Sequence, residues 1–397
     1  MRASAALRAS VAPGGVLAGP WVRNELWRRA RMMPSLDLPF ADYKSLTDLV
    51  SGGNLITFTR AYESIFTGPD GLLKTAGNNV PVFDHDPITR ACLGLQIEEQ
   101  RINRLLHNRD LTQAAWVATN ITPAKDQIGA DGVSNSASSI TSTAGNGTIL
   151  QTITSASAAR ATSAYVRRVT GSGAVEMTQN GGTTWTAVTV TGDWTRVQIP
   201  TATVTNPVVG FRIVASGDAI AVDYVQCEDG TDITSPIATG AATATRSADV
   251  ASITGSNFSS WYRQDEGTFF VSHDARQVLL VASNNSFAER QPQMGVAANA
   301  IQDFYVIVGS VIQANNIGGS HVFGTTSKAA HAYRASDFVG ATNGTLTNRV
   351  TTGSVSSIIS QLNIGTFHNG TGGANGTIRR LTYWPRALPS HVQELTR

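Results

Sequence analysis

The sequence predicts an all-β protein with two β-sandwich (jelly-roll) domains in tandem, preceded by an irregular adaptor region and a short N-terminal helical anchor. Three observations support this. Charged residues are only 15% of the 397-residue chain, against about 25% in typical globular proteins, and short polar residues replace them. Short alternating apolar runs recur about every ten residues, as they do in sandwiches. A stretch without large apolar side chains separates two groups of these runs.

The N-terminal arm, residues 1–35, is basic and contains the best helix candidate. Its first 33 residues hold six arginines and one glutamate. WVRNELWRRARMM, residues 21–33, consists largely of good helix formers, and Pro34 ends it. Because so short a helix is marginal alone, we expect another chain to hold it. A basic arm also suits docking onto an acidic partner surface.

The adaptor region is predicted over residues 36–107, where glycine-rich turns separate short apolar pieces. Within it, LGLQIEEQRINRLLHN (residues 93–108) first alternates like a strand and then spaces its apolar residues like a helix. It predicts a strand that leads into a short helix or a turn. FDHDP, residues 83–87, clusters two aspartates and a histidine; we favour a turn there over metal ligation.

The first sandwich is predicted over residues 108–237 and the second over residues 250–397. Residues 238–249 have no apolar side chain larger than alanine and predict a linker. Strand-like runs in the first sandwich are residues 148–156, 161–169, 174–180, 195–200, 208–215 and 219–228. Those in the second are residues 267–274, 277–283, 303–309, 329–335, 361–367 and 377–384, and a short helix can follow Pro385.

The last of these runs, GTIRRLTYW, places two adjacent arginines inside an apolar strand. Leu381 and Tyr383 keep the strand period of two, whereas Ile378 is one residue out of step. A bulge between Arg379 and Arg380 restores the register and turns at least one guanidinium to solvent. We favour a solvated face that protects the sheet from edge pairing. The alternative is a basic contact for an acidic partner or a sugar.

Several classes of protein are disfavoured by composition. The net charge of +2 argues against a general nucleic-acid binder. No apolar run is long enough for a membrane span, and the N-terminus lacks the apolar core of a secretion signal. Cys92 and Cys227 cannot build a disulfide framework or a CxxC metal site, so we expect two buried free thiols.

Catalytic motifs are not found either. There is no GxSxG, HExxH, GxxxxGK[ST] or GxGxxG in a suitable context. A glycosidase needs two carboxyls flanking one bond, but adjacent acids such as Glu98 and Glu99 point to opposite faces of a strand. We therefore predict that the protein is not an enzyme, with no cofactor and no metal site.

Aromatic residues indicate a binding surface, because sugars stack their C–H faces on aromatic rings while their hydroxyls bond polar side chains. Trp185 follows a glycine-rich hairpin turn, where a large ring must pack or bind. Trp116 fits either core or surface, whereas Trp194 fits a core better. The predicted carbohydrate-binding residues are Trp185, Trp116, Tyr333, His368, Asn369 and Arg379.

Seven stretches, taken in order, resemble phage and prophage fibre proteins. LGLQIEEQRINRLLHNRDL resembles a segment of the form GLLIEEQRTNLLLNS in that family, and ITFTRAYES and PVFDHDP precede it as they do there. QCEDGTDITSPI, RSADVASI, WYRQDEGTFFV and NGTIRRLTYWPRAL follow in the same order. The resemblance covers residues 55–397 and implies a carbohydrate-binding-module-like jelly roll followed by a concanavalin A-like (laminin G-like) lectin domain.

One departure from that pattern concerns the final strand. Many laminin G-like sandwiches carry acidic residues after its isoleucine, where Arg379 and Arg380 stand here. The departure argues against calcium at this strand and favours a negatively charged glycan. Residues 1–35 match nothing in the family.

The resemblance implies a virion structural receptor-binding protein, a fibre or head spike of a phage or gene-transfer particle. Such a protein binds host capsule or lipopolysaccharide noncovalently at the particle surface, after synthesis in the bacterial cytoplasm. A polysaccharide depolymerase on the same scaffold and a purely structural connector are the alternatives. Expected partners are the glycan, other virion proteins through the N-terminus and further copies of the chain, without nucleic acid or membrane insertion. The implied particle-anchor residues are Trp21, Trp27, Arg28, Arg29 and Arg31.

Overall fold

The computed structural model describes residues 24–297 and 299–397. It confirms the all-β fold built from β-sandwiches. The few helices in these residues are four to six residues long, and none is long and apolar enough to cross a membrane.

The elements before the first sandwich are α1 (Glu25–Ala30), β1 (Leu36–Leu38), α2 (Phe40–Tyr43), β2 (Thr57–Thr59), β3 (Ser64–Thr67), β4 (Leu73–Ala76), β5 (Phe83–His85), β6 (Cys92–Ile97) and β7 (Arg101–Asn103). Those of the first sandwich are β8 (Val117–Thr119), β9 (Ile121–Gln127), β10 (Ala137–Ser142), β11 (Gly147–Thr152), β12 (Ala158–Thr170), β13 (Val175–Thr178), β14 (Thr186–Val188), β15 (Thr195–Val204), β16 (Val208–Ile213) and β17 (Ala219–Asp229).

The remaining elements are β18 (Ala244–Arg246), β19 (Val250–Thr254), α3 (Gly255–Ser259), β20 (Glu266–Asp274), β21 (Val278–Ser283), β22 (Arg290–Val296), β23 (Ile301–Val308), β24 (Val311–Ser320), β25 (Ser327–Arg334), β26 (Asp337–Thr342), β27 (Thr345–Leu346), β28 (Gln361–Ile364), β29 (Gly376–Trp384) and α4 (Val392–Thr396).

The first sandwich, called the jelly roll below, packs two five-stranded sheets face to face. Their strand orders are β15-β12-β17-β10-β9 and β14-β13-β16-β11-β8. Alternate residues of both sheets point inward and fill one core, which includes Ile149, Met177, Phe211 and Val222. This alternation is the pattern that predicted the strands.

The second sandwich, called the C-terminal sandwich below, is larger. One sheet has the order β27-β26-β25-β20-β29-β6-β5, with β1 also paired to β29, and the other has the order β2-β19-β28-β21-β22-β23-β24. Its core contains a dense aromatic group in which Trp261, Tyr262, Phe269 and Tyr383 contact one another. Trp261 and Tyr262 are both buried in this core.

The predicted separate adaptor region requires correction, because much of residues 36–107 belongs to the C-terminal sandwich. Leu36 in β1 pairs with Tyr383, and Leu95 in β6 pairs with Ile378. Strand β2 pairs with β19 in the opposite sheet. The apolar side chains of these strands complete the core, so the jelly roll is an insertion within the chain of the C-terminal sandwich.

The insertion begins and ends at one short ribbon. Strand β7 pairs antiparallel with β18, with Asn103 opposite Ala244. The predicted linker therefore contains a strand, and its Arg246 is buried in an ion pair with Glu98 at 2.9 Å. The helix expected as one option after β6 is also absent among the described residues, because β7 occupies that stretch.

The expected bulge in the final strand is present. Ser272 pairs with Arg380 and His273 with Ile378, so Arg379 is the extra residue. The Arg380 guanidinium turns to Asp37 of β1 and donates from Nε to Oδ1 at 2.9 Å and from Nη2 to Oδ2 at 2.6 Å. One arginine of the pair is thus a structural partner of a fully buried carboxylate rather than a solvated charge.

Helix α1 packs against its own chain, which corrects the expectation that another chain holds it. Leu26 and Ala30 lie in an apolar cluster with Trp384 and Leu395 on the outside of the C-terminal sandwich. The helix ends at Arg31, whose backbone has a positive φ of 53°. Both cysteines are free thiols, as expected, although only Cys227 is buried and Cys92 is half-buried.

Candidate functional site

The outer face of the second jelly-roll sheet presents a continuous row of side chains. Pairing aligns Ala187 of β14, Glu176 of β13, Arg212 of β16, Thr148 of β11 and Thr119 of β8. These residues alternate with core residues and therefore point away from the sandwich interior. All five are exposed or half-buried.

Trp185 stands at one end of this row, immediately before β14. The Arg212 guanidinium carbon lies 4.7 Å from the centre of its ring, a cation–π geometry. Glu176 accepts hydrogen bonds from Arg212 and so fixes the guanidinium. The indole is half-buried, and no acceptor in the described part of the chain takes its Nε1–H. We call Trp185, Arg212 and Glu176 the tryptophan face.

Trp194 on the other sheet makes an instructive contrast. Its ring also has an arginine nearby, with the Arg167 guanidinium carbon 5.4 Å from the ring centre. Its Nε1–H, however, donates to the Ile128 carbonyl at 3.3 Å. Trp194 is half-buried beside a small apolar cluster, so it was only partly correct to assign it to a core.

Two predicted binding residues lie in cores, which corrects that part of the prediction. Trp116 is 5% exposed inside the jelly roll, and its Nε1–H donates to the His107 carbonyl at 3.3 Å. Tyr333 is fully buried in the C-terminal sandwich, with its hydroxyl 3.3 Å from that of Tyr383. An external ligand has no access to either ring. The burial of a single ring cannot be deduced from one sequence, and for this reason Trp116 was left open between core and surface.

His368 and Asn369 lie together on a surface loop of the C-terminal sandwich. The His368 ring packs edge-to-face on Phe287, with 4.3 Å between ring centres, and Phe287 is 45% exposed. Asn369 uses its side-chain oxygen to accept from Thr371 within the loop. Burial and nearby Arg290 lower the pKa of His368, which keeps the ring neutral.

Arg379 projects into a different place, a depression of about 230 Å³ between α1 and the outer face of the β20–β29 sheet. Lys328, Arg29 and Arg380 also line it. Arg379 forms no ion pair with a described residue. The predicted binding residues are therefore spread over two cores and three surfaces, and only His368 and Asn369 are neighbours.

The predicted anchor residues that the structure describes also lie partly in a buried position and partly on the surface. Trp27 is buried and its Nε1–H donates to Asp37 at 2.8 Å, so this ring is a structural part of the C-terminal sandwich. Arg29 pairs with Glu25 and donates to the carbonyl of Glu394. Arg28 and Arg31 are exposed, and Trp21 lies outside the described residues.

The chain also forms a cleft that sequence reasoning missed, which we call the junction cleft. It has a volume of about 280 Å³ and is lined by both sandwiches. The jelly roll contributes Tyr165 and Arg196, and the C-terminal sandwich contributes Asp84, Gln96 and Asp274. Sequence reasoning compared only acids that are close to each other in the chain. Three acids reach this cleft from distant segments, namely Asp84, Glu98 and Asp274.

Asp84 lies on the wall that the C-terminal sandwich contributes. Burial raises its pKa to about 6, although its Oδ1 accepts a hydrogen bond from the Thr67 backbone N–H at 2.8 Å. The neighbouring Asp86 instead caps a turn by accepting from the backbone N–H groups of Ile88 and Thr89. The turn that we favoured for FDHDP therefore begins at Asp86, whereas Phe83–His85 form β5.

No known family model matches the chain, and no curated protein matches it. Structures similar to it include a SAP-like pentraxin from Limulus polyphemus, with 14% identity over 33% of this chain and 68% of that one and a TM-score of 0.27. Domains LG4-5 of the mouse laminin alpha1 chain match at 12% identity over 63% of this chain and 92% of that one, with a TM-score of 0.27. The CBM22-1-CBM22-2 tandem domain of Paenibacillus barcinonensis Xyn10C matches at 10% identity over 71% of this chain and 96% of that one, with a TM-score of 0.26.

Sialidases are also among the similar structures, and this contradicts the prediction that the protein is not an enzyme. A Trypanosoma rangeli sialidase matches at 13% identity over 37% of this chain, with a TM-score of 0.29. The match spans about a quarter of that enzyme's length, 25%. The prediction of a non-enzyme is therefore withdrawn.

Proposed function

We propose that the protein binds saccharides through the tryptophan face of its jelly roll. The observation that carries this proposal is the fixed indole of Trp185, which is half-buried, oriented by Arg212 and has an unused N–H donor. A ring held in place loses little conformational entropy when a sugar stacks on it. Arg212 and Glu176 supply a donor and an acceptor next to the ring for the sugar hydroxyls.

The charges of this face favour a neutral sugar unit at this position. Arg212 is paired with Glu176, so its charge is compensated before any ligand arrives. The rest of the row consists of threonines and an alanine, which give a flat surface with short polar side chains. A flat surface with one fixed aromatic ring suits a segment within a polysaccharide chain.

We further propose that binding takes place at the surface of a phage or phage-like particle, where the protein serves adsorption to host polysaccharide. The order of the fibre-like stretches along residues 55–397 supports this placement. A single sugar site binds weakly, and several copies on one particle raise the effective concentration. We therefore propose a homo-oligomer, with the N-terminal residues attached to the other particle proteins.

The decisive experiment compares two tryptophan variants of the full chain on an array of bacterial capsule and lipopolysaccharide glycans. Trp185→Ala should weaken binding at least tenfold, a free-energy change of about 1.4 kcal/mol. Its melting temperature should stay close to that of the wild type, because the ring is half-exposed. Trp194→Ala is the matched control, since this ring also lies beside an arginine but has its N–H satisfied, and it should bind like the wild type.

Two outcomes would contradict the proposal. One is a wild-type protein that binds no glycan on the array. The other is a Trp185→Ala variant that binds normally, or one whose melting temperature collapses and thereby shows a core role.

Attachment through the N-terminus is tested by truncation after residue 23. The cut must spare α1, because Leu26, Trp27 and Ala30 are buried against the C-terminal sandwich. The truncated chain should fold, keep its glycan binding and fail to copurify with particles. Retention on the particles would refute the anchor.

A further inference from the structure

The junction cleft combines features that the two sandwiches do not have separately. Tyr165 and Arg196 reach it from β12 and β15 of the jelly roll. Asp84 and Gln96 reach it from β5 and β6 of the C-terminal sandwich. None of these residues belongs to the tryptophan face, so the cleft is a separate place on the molecule.

Two of the residues that line this cleft have a buried side-chain atom without a hydrogen-bond partner. Gln96 is only 7% exposed, yet its Oε1 has no partner among the described residues. The buried Nε of Arg196 lacks one as well, while its Nη2 donates to the Ser163 hydroxyl and the Thr234 carbonyl. A buried polar atom without a partner costs about 1–3 kcal/mol, and a polar ligand removes that cost.

Asp84 adds an acceptor to the same wall. One of its oxygens accepts from the Thr67 N–H at 2.8 Å, and its carboxyl group lines the cleft. Burial raises the pKa of Asp84. A hydroxyl group of a ligand is the natural donor for such an oxygen.

Positive and negative side chains occur together around the cleft, and this favours an uncharged ligand over a charged one. Arg276 is paired with Asp232 at 2.8 Å, and Glu98 is paired with Arg246. Arg196 faces two further acids, Asp84 and Asp274. A phosphate or sulfate would meet these carboxylates, whereas an uncharged polyol would bond to donors and acceptors alike.

The size of the cleft and its aromatic side chains, Tyr165 and Phe66, also bear on which ligand fits. A volume of about 280 Å³ lies just below the range of about 300–1,000 Å³ of typical small-molecule sites. Tyr165 is half-buried at the cleft and its ring carries Arg196 on one side, 5.7 Å from the ring centre. Such a space fits one sugar ring rather than a longer oligosaccharide.

We propose that the junction cleft is a second saccharide site, which takes a single uncharged sugar unit. Gln96, Asp84 and Arg196 bond to the hydroxyls of this unit, and Tyr165 contacts its C–H face. Because both sandwiches line the cleft, an occupied site also links them. A glycan end can occupy the cleft while a chain segment lies on the tryptophan face.

The test uses saturation-transfer NMR on the full chain with free monosaccharides, namely glucose, galactose, mannose, rhamnose and N-acetylglucosamine. At least one should give a signal with the wild type. Gln96→Ala should weaken that binding at least tenfold, and Asp84→Asn, which keeps the size of the side chain, should weaken it as well. Gln361→Leu, on a distant strand, is the control and should bind normally.

Comparison with the tryptophan face separates this inference from the proposed function. Trp185→Ala should retain the monosaccharide signal of the cleft even while it loses polysaccharide binding. The inference is overturned if no monosaccharide binds, or if binding persists in both folded cleft variants. It is also overturned if Trp185→Ala alone abolishes the signal, or if inorganic phosphate displaces the sugar.

Discussion

The two sandwiches have similar architectures, but one is formed by a continuous segment of the chain and the other by two separate segments. All ten strands of the jelly roll lie between residues 117 and 229. The C-terminal sandwich instead pairs β1, at residues 36–38, with β29, at residues 376–384. Its first and last strands meet only after the whole jelly roll has been synthesised, so its contacts span much greater sequence separations. The difference shows that one sandwich is a self-contained insertion and the other is its interrupted host.

Both sandwiches nevertheless contain an arginine–aspartate pair that joins the beginning of the sandwich to its last strand. In the jelly roll, Arg109 donates from Nε to Oδ1 of Asp223 in the last strand at 2.7 Å. In the C-terminal sandwich, Arg380 of the last strand binds Asp37 of the first at two points. Both aspartates are fully buried. A buried bidentate pair thus joins the entry of each sandwich to its exit.

The largest effect expected from this comparison is the loss of a whole domain. A fragment of residues 244–397 lacks β1, β2, β5 and β6, and with them much of its core. It should remain unfolded, whereas residues 104–243 should fold cooperatively alone. Near-ultraviolet circular dichroism with thermal melting distinguishes the two fragments. A cooperative transition for residues 244–397 would refute the idea of an interrupted host.

The individual strands could be predicted from the sequence much better than their partners. Runs such as residues 174–180 and 195–200 alternate apolar and polar residues, and this local pattern is what one face of a sandwich requires. The missed strands include β9 and β10 of the jelly roll and β22, β24 and β26 of the C-terminal sandwich. Strand β24 exposes Val311 and Ile312 at a sheet edge, so its apolar residues do not follow the core pattern.

The insertion and the junction cleft could not be predicted, because they depend on contacts between distant residues. Of the proposed tryptophan face, only Trp185 was among the predicted binding residues. Nothing local to Leu36 indicates that it pairs with Tyr383. Trp116 and Trp185 each stand immediately before a three-residue strand, yet one fills a core and the other stands on a sheet surface. The junction cleft in turn needs residues from both sandwiches.

The next largest effect concerns the two buried pairs. Asp37→Ala leaves Arg380 without its partner and should destabilise the C-terminal sandwich by about 3–5 kcal/mol. Asp223→Ala should do the same to the jelly roll through Arg109. Chemical denaturation followed separately at the two transitions should show each variant lowering only its own transition. If both variants lowered both transitions equally, the sandwiches would unfold as one unit and the comparison would fail.

A smaller effect should appear in the pH dependence of the C-terminal sandwich. Burial raises the pKa of Asp303 to about 6 in the folded state, above its ordinary value of 3.8. The folded state therefore holds this proton more tightly, and stability falls as pH rises from about 4 to about 6. Asp303→Asn should remove part of that fall, of the order of 1 kcal/mol.

The control for this effect is Asp265→Asn. Asp265 is largely exposed, and its hydrogen bond with Arg263 lowers its pKa, so this variant should leave the fall unchanged. Melting temperatures measured at several pH values between 4 and 7 provide the comparison. A wild-type transition that does not change over this range would contradict the prediction.

The smallest effect separates the two adjacent arginines of β29. Arg379 is the bulge residue, faces the depression beside α1 and forms no ion pair with any residue that the structure describes. Arg379→Ala should therefore change the stability of the C-terminal sandwich by no more than about 0.5 kcal/mol. Arg380→Ala, one residue away, should instead approach the loss seen for Asp37→Ala, because it leaves the same carboxylate buried without its cation. Equal destabilisation by the two alanine substitutions would show that the bulge does not separate a structural arginine from a surface one. Arg380 would then not be the arginine that joins the first strand to the last.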